Sequence, residues 1–263
     1  TSFCDCSLRN LMSPTWAGLK NYIALFKKGE FFAYFFHTLV FVFFTVSIQL
    51  ILGMGVALLL NSKIRGRAVF RGMMLIPWTI PSVVVALVWR WILQQQYGVI
   101  NYLLMKVGII DGMNLSWTMD ATLAMISIVA ACVWKQLPYM TVMILAGLQS
   151  GDSSLLEAAR IDGASEARTF VSVVLPMVKP GIGALAIFTF INSWNDYFMQ
   201  LIMLSSTSNL TISLGIAKLQ AENSTDFGLI MAGAALAAVP IIIIFLIFQK
   251  YFTKGIAMGA VKG

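Results

Sequence analysis

Charged side chains are scarce in this sequence. Asp, Glu, Lys and Arg make up 11% of its 263 residues, against roughly 25% in a soluble globular chain. Histidine is nearly absent: His37 stands alone at the head of an apolar segment, a poor position for a metal ligand, a proton relay or the base of a serine–histidine–acid constellation. Of three cysteines, Cys4 and Cys6 are too close in sequence for an easy bridge and Cys132 lies inside an apolar run, so there is no disulfide framework. Cys4, Asp5 and Cys6 form a weak metal candidate, and no metal site is assigned. The phosphate-cradling pattern GxxxxGK[ST] is missing, which excludes an ATPase within this chain.

What is abundant is apolar: 59% of the residues, with a mean hydropathy of +0.84. Five segments are long enough to span a membrane: Phe35 to Leu60, Val69 to Leu93, Ala121 to Leu148, Met177 to Leu204 and Phe227 to Phe252. Each contains glycine, proline or a polar residue, as helices that pack in a bundle do. The expected fold class is therefore all-α, a polytopic membrane helix bundle. Pro77 and Pro81 read as a kink or gate element in the second span. The run Ala232 to Ala238, with Pro240 just beyond, reads as a close packing face, and Gln94 to Gln96 as a solvated turn.

The basic residues orient the spans. Lys63, Arg65, Arg67, Arg71, Arg160, Arg168, Lys179, Lys250, Lys254 and Lys262 fall on one side. Arg9, Lys20, Lys27, Lys28, Lys106 and Lys218 fall on the other, and Arg90 lies near a span end. The positive-inside bias puts the first set in the cytoplasm. Topology also accounts for the net charge of +7, and there is neither a soluble basic domain nor a base-stacking platform, so nucleic-acid binding is not expected.

Between the third and fourth spans lies a polar island. Ser154 and Glu157 have capping-box spacing, and Leu155, Leu156, Ala158, Ala159 and Ile161 supply helix formers with an apolar side. Gly163 suits the left-handed residue that ends a helix, and Ala164 to Val174 can begin a second one leading to Pro176. The expected unit is helix, turn, helix.

Glu157, Ala158 and Ala159, then Gly163, then Val173, Leu175 and Pro176 match the pattern EAA, three residues, G, nine residues, I-x-L-P, with valine for isoleucine as the one departure. This resembles the membrane subunits of bacterial ABC importers. Gly18 to Tyr22 (GLKNY), Leu75 to Trp91, Leu145 to Gln149 and Ala257 to Gly263 are similar to the carbohydrate-type permeases related to the maltose transporter. The first half looks more like the first permease type of such systems, and the tail from Trp194 to Gly263 more like the second.

The resemblance implies a permease subunit in the bacterial inner membrane, importing a sugar or a related polyol or sugar phosphate. It would pair with a second permease, as a heterodimer or homodimer, and with two cytoplasmic ATPase subunits and an extracytoplasmic solute-binding protein. ATP and Mg would bind the partner ATPase, with no cofactor on this chain. The ATPase would dock on the loop at 150–176 through Glu157, Ala158, Ala159, Gly163, Leu175 and Pro176. Family members usually carry a helix before the GLKNY-like segment, so a preceding sixth span is expected to be missing here. Residues 1–30 then form an extracytoplasmic segment and 31–263 the transmembrane permease domain.

Polar residues inside spans are costly in hydrocarbon and point to a cavity. In the third span Lys135, Gln136 and Pro138 interrupt an apolar run, followed by Tyr139. In the fourth, Asn192, Asn195 and Asp196 stand at i, i+3 and i+4 and are expected to share a helical face beside Trp194 and Tyr197. Amide and carboxylate groups bind hydroxyls, and aromatic rings cover the apolar faces of a pyranose. The family alignment implies Cys132, Lys135, Gln136, Tyr139, Asn192 and Asn195 as sugar-contacting positions, to which the shared face adds Asp196. The same residues admit a structural reading, an ion pair of Lys135 with Asp196 and interhelical asparagine bonds. An ion-coupled secondary transporter or channel using Lys135 and Asp196 is the rival function.

Overall fold

The computed structural model describes residues 1–260 other than 8, 9, 11, 63–65, 151–158, 160, 207, 208 and 224, with side chains as far as residue 250. After a two-stranded antiparallel ribbon, β1 (Cys4–Asp5) with β2 (Thr15–Trp16), in which Cys4 faces Trp16 and Asp5 faces Thr15, everything regular is helical. The helices are α1 (Lys20–Lys27), α2 (Glu30–Asn61), α3 (Arg67–Thr79), α4 (Ser82–Ile92), α5 (Val99–Lys106) and α6 (Ala121–Ser150). They continue as α7 (Glu166–Trp194), α8 (Phe198–Met203), α9 (Ile212–Glu222) and α10 (Phe227–Ala260).

Four helices, α2, α6, α7 and α10, are long and apolar enough to cross a membrane. The segment expected as the second span is α3 and α4, bent by 93° at the break between them, so among the described residues the five expected spans correspond to four long helices and one broken pair. Pro81 is the cause. It is the N-cap of α4 and has no N–H to continue the helix, and the residue before it, Ile80, is extended at φ −74°, ψ 133°.

The chain divides into two compact units. The first comprises residues 1–44, 81–132 and 192–243. Its polar interior is closed by side chains that serve backbone ends. Thr38 in α2 donates to the Tyr34 carbonyl at 2.7 Å and accepts the N–H of Ile212 at 2.8 Å, which satisfies the first orphan donor of α9. Buried Asn101 donates to the carbonyls of Gln95 (3.0 Å) and Leu115 (2.9 Å) and accepts from Trp117 Nε1 (2.6 Å), pinning the connection from α4 to α6. Close approach is bought with glycine. A Cβ on Gly215 would stand 2.3 Å from the Tyr34 ring, and one on Gly228 2.4 Å from the Cys4 carbonyl. Gly233 lets α10 meet Leu219, in agreement with the expected packing role of the small-residue run.

The second unit comprises residues 45–80, 133–191 and 244–263. Its core gathers Ala57, Leu60, Met140, Ile144, Leu145 and Leu185 from α2, α6 and α7. Gly53 is the point of closest approach, since a Cβ there would lie 2.7 Å from Met140 Cγ.

Candidate functional site

The described part of the polar island is a turn that runs into a second helix. Glu157 and Ala158 lie outside the described residues, as does the Ser154 half of the expected capping box. From Ala159 onward the geometry is clear. Gly163 has φ +73°, and the N–H of Ala164 bonds the Ala159 carbonyl at 3.0 Å. Together these form the six-to-one closure of a helix that ends on a left-handed residue. The second helix starts at Glu166, slightly later than expected, because Ser165 is its cap: the Ser165 hydroxyl accepts the N–H of Arg168 at 3.3 Å. Ile161, 85% exposed, projects from the turn with Asp162 beside it.

Val173, Leu175 and Pro176 fall on a feature the sequence reading missed. Residues Phe170–Val174 form a π turn, in which the Leu175 N–H reaches back to the Phe170 carbonyl. Pro176 follows at once, with no N–H to offer Ser172. A wider turn relieves the clash of the prolyl ring with the preceding carbonyls and lets α7 continue to Trp194. A proline directly after a loop motif was the available signal.

The fourth-span residues depart from expectation. The helix ends at Trp194, so Asn192 and Asn195 are not one turn apart on a continuous helix and the i, i+3, i+4 face with Asp196 does not form. Residues 195–197 are a break before α8. Hydrogen bonds from both sides hold it. Trp194, fully buried, donates its indole N–H to the Ala237 carbonyl at 3.0 Å, one turn before Pro240 where the helix's own pairing is weakened. The Trp194 carbonyl accepts the Ser213 hydroxyl at 3.2 Å. Asp196 Oδ1 accepts the N–H of Met199, capping α8, while Oδ2 accepts the Cys132 S–H at 3.7 Å. Asn192 and Asn195 are both exposed. The first unit thus brings Cys132 and Asp196 together at a helix break that presents two amides.

Lys135, Gln136 and Tyr139 belong to the second unit. Lys135 is 8% exposed, and among the described residues it forms no ion pair. Tyr139 stacks on Trp78 (ring centroids 5.5 Å apart, 24° between planes) and meets Phe188 at 5.8 Å. Trp78 and Phe188 are substantially exposed, so this is an aromatic surface, with the proline-bearing α3 helping to form it. Gln49, a fully buried amide in α2, was passed over in the sequence although it meets the same criterion of a polar group in an apolar run. Among the described residues no cluster of metal ligands forms. No disulfide joins the three cysteines, and the Asp5 carboxylate is turned to Lys20 at 3.0 Å.

Membrane-length apolar helices, a bent helix pair and a polar break after Trp194 make the architecture of a multi-pass membrane permease. The chain belongs to the family described as binding-protein-dependent transport system inner membrane component, whose pattern matches residues 49–258. It is 33% identical over 236 residues to the trehalose/maltose transport system permease protein MalF of Thermococcus litoralis, covering 89% of this chain and 79% of the relative. It is also 33% identical to the sulfoquinovosyl glycerol transport system permease protein SmoG of Agrobacterium fabrum, over 91% and 76% of the two chains. The fold matches that of a bacterial ABC transporter involved in import of the acidic polysaccharide alginate, with a TM-score of 0.79 at 20% identity over 94% of this chain and 85% of that one. A bacterial alginate ABC transporter in complex with an alginate-pentasaccharide-bound periplasmic protein matches with a TM-score of 0.77 at 21% identity over 88% and 81% of the two chains.

Proposed function

We propose that this chain is one of two membrane subunits of an ATP-driven importer in the bacterial plasma membrane, taking up a sugar or a related polyol or sugar phosphate from an extracytoplasmic binding protein. Two cytoplasmic ATPase subunits bind ATP and Mg, and this chain needs no cofactor of its own. The named solutes of its relatives, trehalose/maltose and sulfoquinovosyl glycerol, support the carbohydrate class.

The observation that carries the coupling role is the Ala159–Gly163–Ser165 turn. A closed helix end, a left-handed glycine and a capped second helix make a short rigid projection, and exposed Ile161 gives it an apolar knob. Glu157 supplies charge to a matching surface on the ATPase. The loop runs into α7, whose 29 residues extend roughly 43 Å at 1.5 Å per residue, ending at the Asn195–Tyr197 break. Movement of the ATPase would be delivered along this helix. The residues proposed to meet solute are Asn192 and Asn195 as hydrogen-bonding amides with Cys132 and Asp196 in the first unit, and Lys135, Gln136 and Tyr139 in the second.

Co-purification of the chain from its native membrane, with identification of the attached ATPase and binding protein, tests the reading together with uptake of a radiolabelled sugar and polyol panel. An importer shows uptake that stops when ATP is withheld. Uptake that follows an ion gradient in the absence of an ATPase would establish the secondary-transporter alternative instead.

A further inference from the structure

The short helix α1 is amphipathic in an inverted sense. One side is fixed to the first unit: Asn21 and Leu25 are buried, and the Asn21 amide donates to the carbonyls of Ser2 at 2.9 Å and Cys4 at 3.0 Å. A helix covering a water-soluble body would turn polar side chains outward from there. Here the outward face carries Leu19, Ile23 and Phe26, at i, i+4 and i+7, all more than half exposed. Trp16, 77% exposed and stacked on Phe3 at 5.7 Å, precedes it. Lys27 and Lys28 are exposed at its end, while the Lys20 ammonium is held by Asp5, whose hydrogen bond raises its pKa.

What covers this face follows from its place in the chain. Only Lys28 and Gly29, the latter at φ +67°, separate α1 from α2, the first membrane-crossing helix. The end of α1 is therefore within a few ångströms of the start of α2. The exposed apolar side of α2 begins immediately, with Phe32, Phe36 and Phe43, the side a membrane-crossing helix turns to lipid. The apolar surface of α1 is thus continuous along the chain with a lipid-facing one. Its flanking residues are those of a membrane interface: a tryptophan with an apolar body and a polar N–H, and lysines whose stems reach toward headgroups.

We propose that α1 is an interfacial helix, with its Leu19–Ile23–Phe26 face seated in the boundary between headgroups and acyl chains of the leaflet that α2 enters, and Lys27 and Lys28 against anionic lipid headgroups. The helix then fixes the depth at which α2 starts and holds the β1–β2 ribbon on the membrane surface. This rests on the membrane span of α2 and is independent of the solute or the ATPase.

Two measurements test it. Nitroxide labels at Ile23→Cys and Phe26→Cys, in a chain with Cys4, Cys6 and Cys132 replaced by alanine and reconstituted in phosphatidylethanolamine–phosphatidylglycerol discs, should collide more with oxygen than with a water-soluble nickel chelate. A label at Lys27→Cys should show the reverse. Greater nickel access at 23 and 26 means a water-facing helix, and loss of access to both reagents means a covering protein; either result overturns the proposal. The second measurement keeps the native cysteines. The Trp16 fluorescence, obtained by subtracting the Trp16→Phe chain, should be quenched by brominated lipid, and more by brominated phosphatidylglycerol than by brominated phosphatidylcholine. The difference should vanish in Lys27→Gln, Lys28→Gln. No quenching of Trp16 overturns the interfacial placement, and equal quenching by the two lipids overturns the anionic-headgroup contact.

Discussion

Cys132 in α6 donates its S–H to the carboxylate of Asp196 across 3.7 Å. Because the other oxygen of Asp196 accepts the Met199 N–H, this carboxylate is engaged on both sides in holding the break between α7 and α8. The neighbouring amides of Asn192 and Asn195 are exposed.

Replacing Asp196 with alanine removes a helix cap and should lower stability by about 1 kcal/mol, read as a drop in the melting temperature of the purified subunit. Asn192→Ala and Asn195→Ala should weaken solute uptake or shift sugar preference, each by about 1–1.5 kcal/mol where a ligand bond is lost. Normal uptake and unaltered preference in the double asparagine variant would remove these residues from the solute path.

Coupling should fail without loss of insertion in Glu157→Lys, Ile161→Asp and Gly163→Pro. The first two alter the charge or the apolar knob presented to the ATPase. The third forces φ near −65°, where the turn has +73°. The readout is ATPase activity of the assembled transporter in lipid discs, with and without loaded binding protein. Full stimulation in all three variants would show that the ATPase docks elsewhere.

Topology is checked by impermeant thiol labelling of intact cells in a cysteine-free background. Asp111→Cys, in the exposed loop after α5, should label from outside, and Ala167→Cys, exposed just past the Gly163 turn, should not. The converse pattern inverts the orientation. Asn101 is unsuitable as a reporter, since its side chain is buried and triply bonded.

Gly215→Ala places a methyl 2.3 Å from the Tyr34 ring. Tyr34 is itself held by its hydroxyl to Glu30 at 2.9 Å and to Lys218 at 3.1 Å, so it cannot swing aside freely. Overpacking of this kind costs about 1–3 kcal/mol, and thermal unfolding of the variant should show it. An unchanged melting temperature would mean that α2 and α9 can part without penalty.

The membrane class, the number of apolar segments, the Gly163 turn and the helix after it were legible in the sequence because each rests on local chemistry. Hydropathy over about twenty residues sets a span, and Gly163 and Ser165 carry their turn and cap in their own backbone and hydroxyl. Pro81 likewise marked a break within the second span. The size of its bend was not readable, since a proline forbids a helix and does not choose what replaces it. The fourth span shows the limit more sharply. Asn192, Asn195 and Asp196 have flawless helical spacing, yet α7 stops at Trp194, because the indole is claimed by the Ala237 carbonyl, the Trp194 carbonyl by Ser213 and the Asp196 carboxylate by Cys132 and Met199. Those partners lie between 3 and 64 residues away in sequence. Periodicity reports only what neighbours along one helix can share, whereas the end of α7 was decided by long-range hydrogen bonds in an interior where an unpaired polar group is too costly to leave.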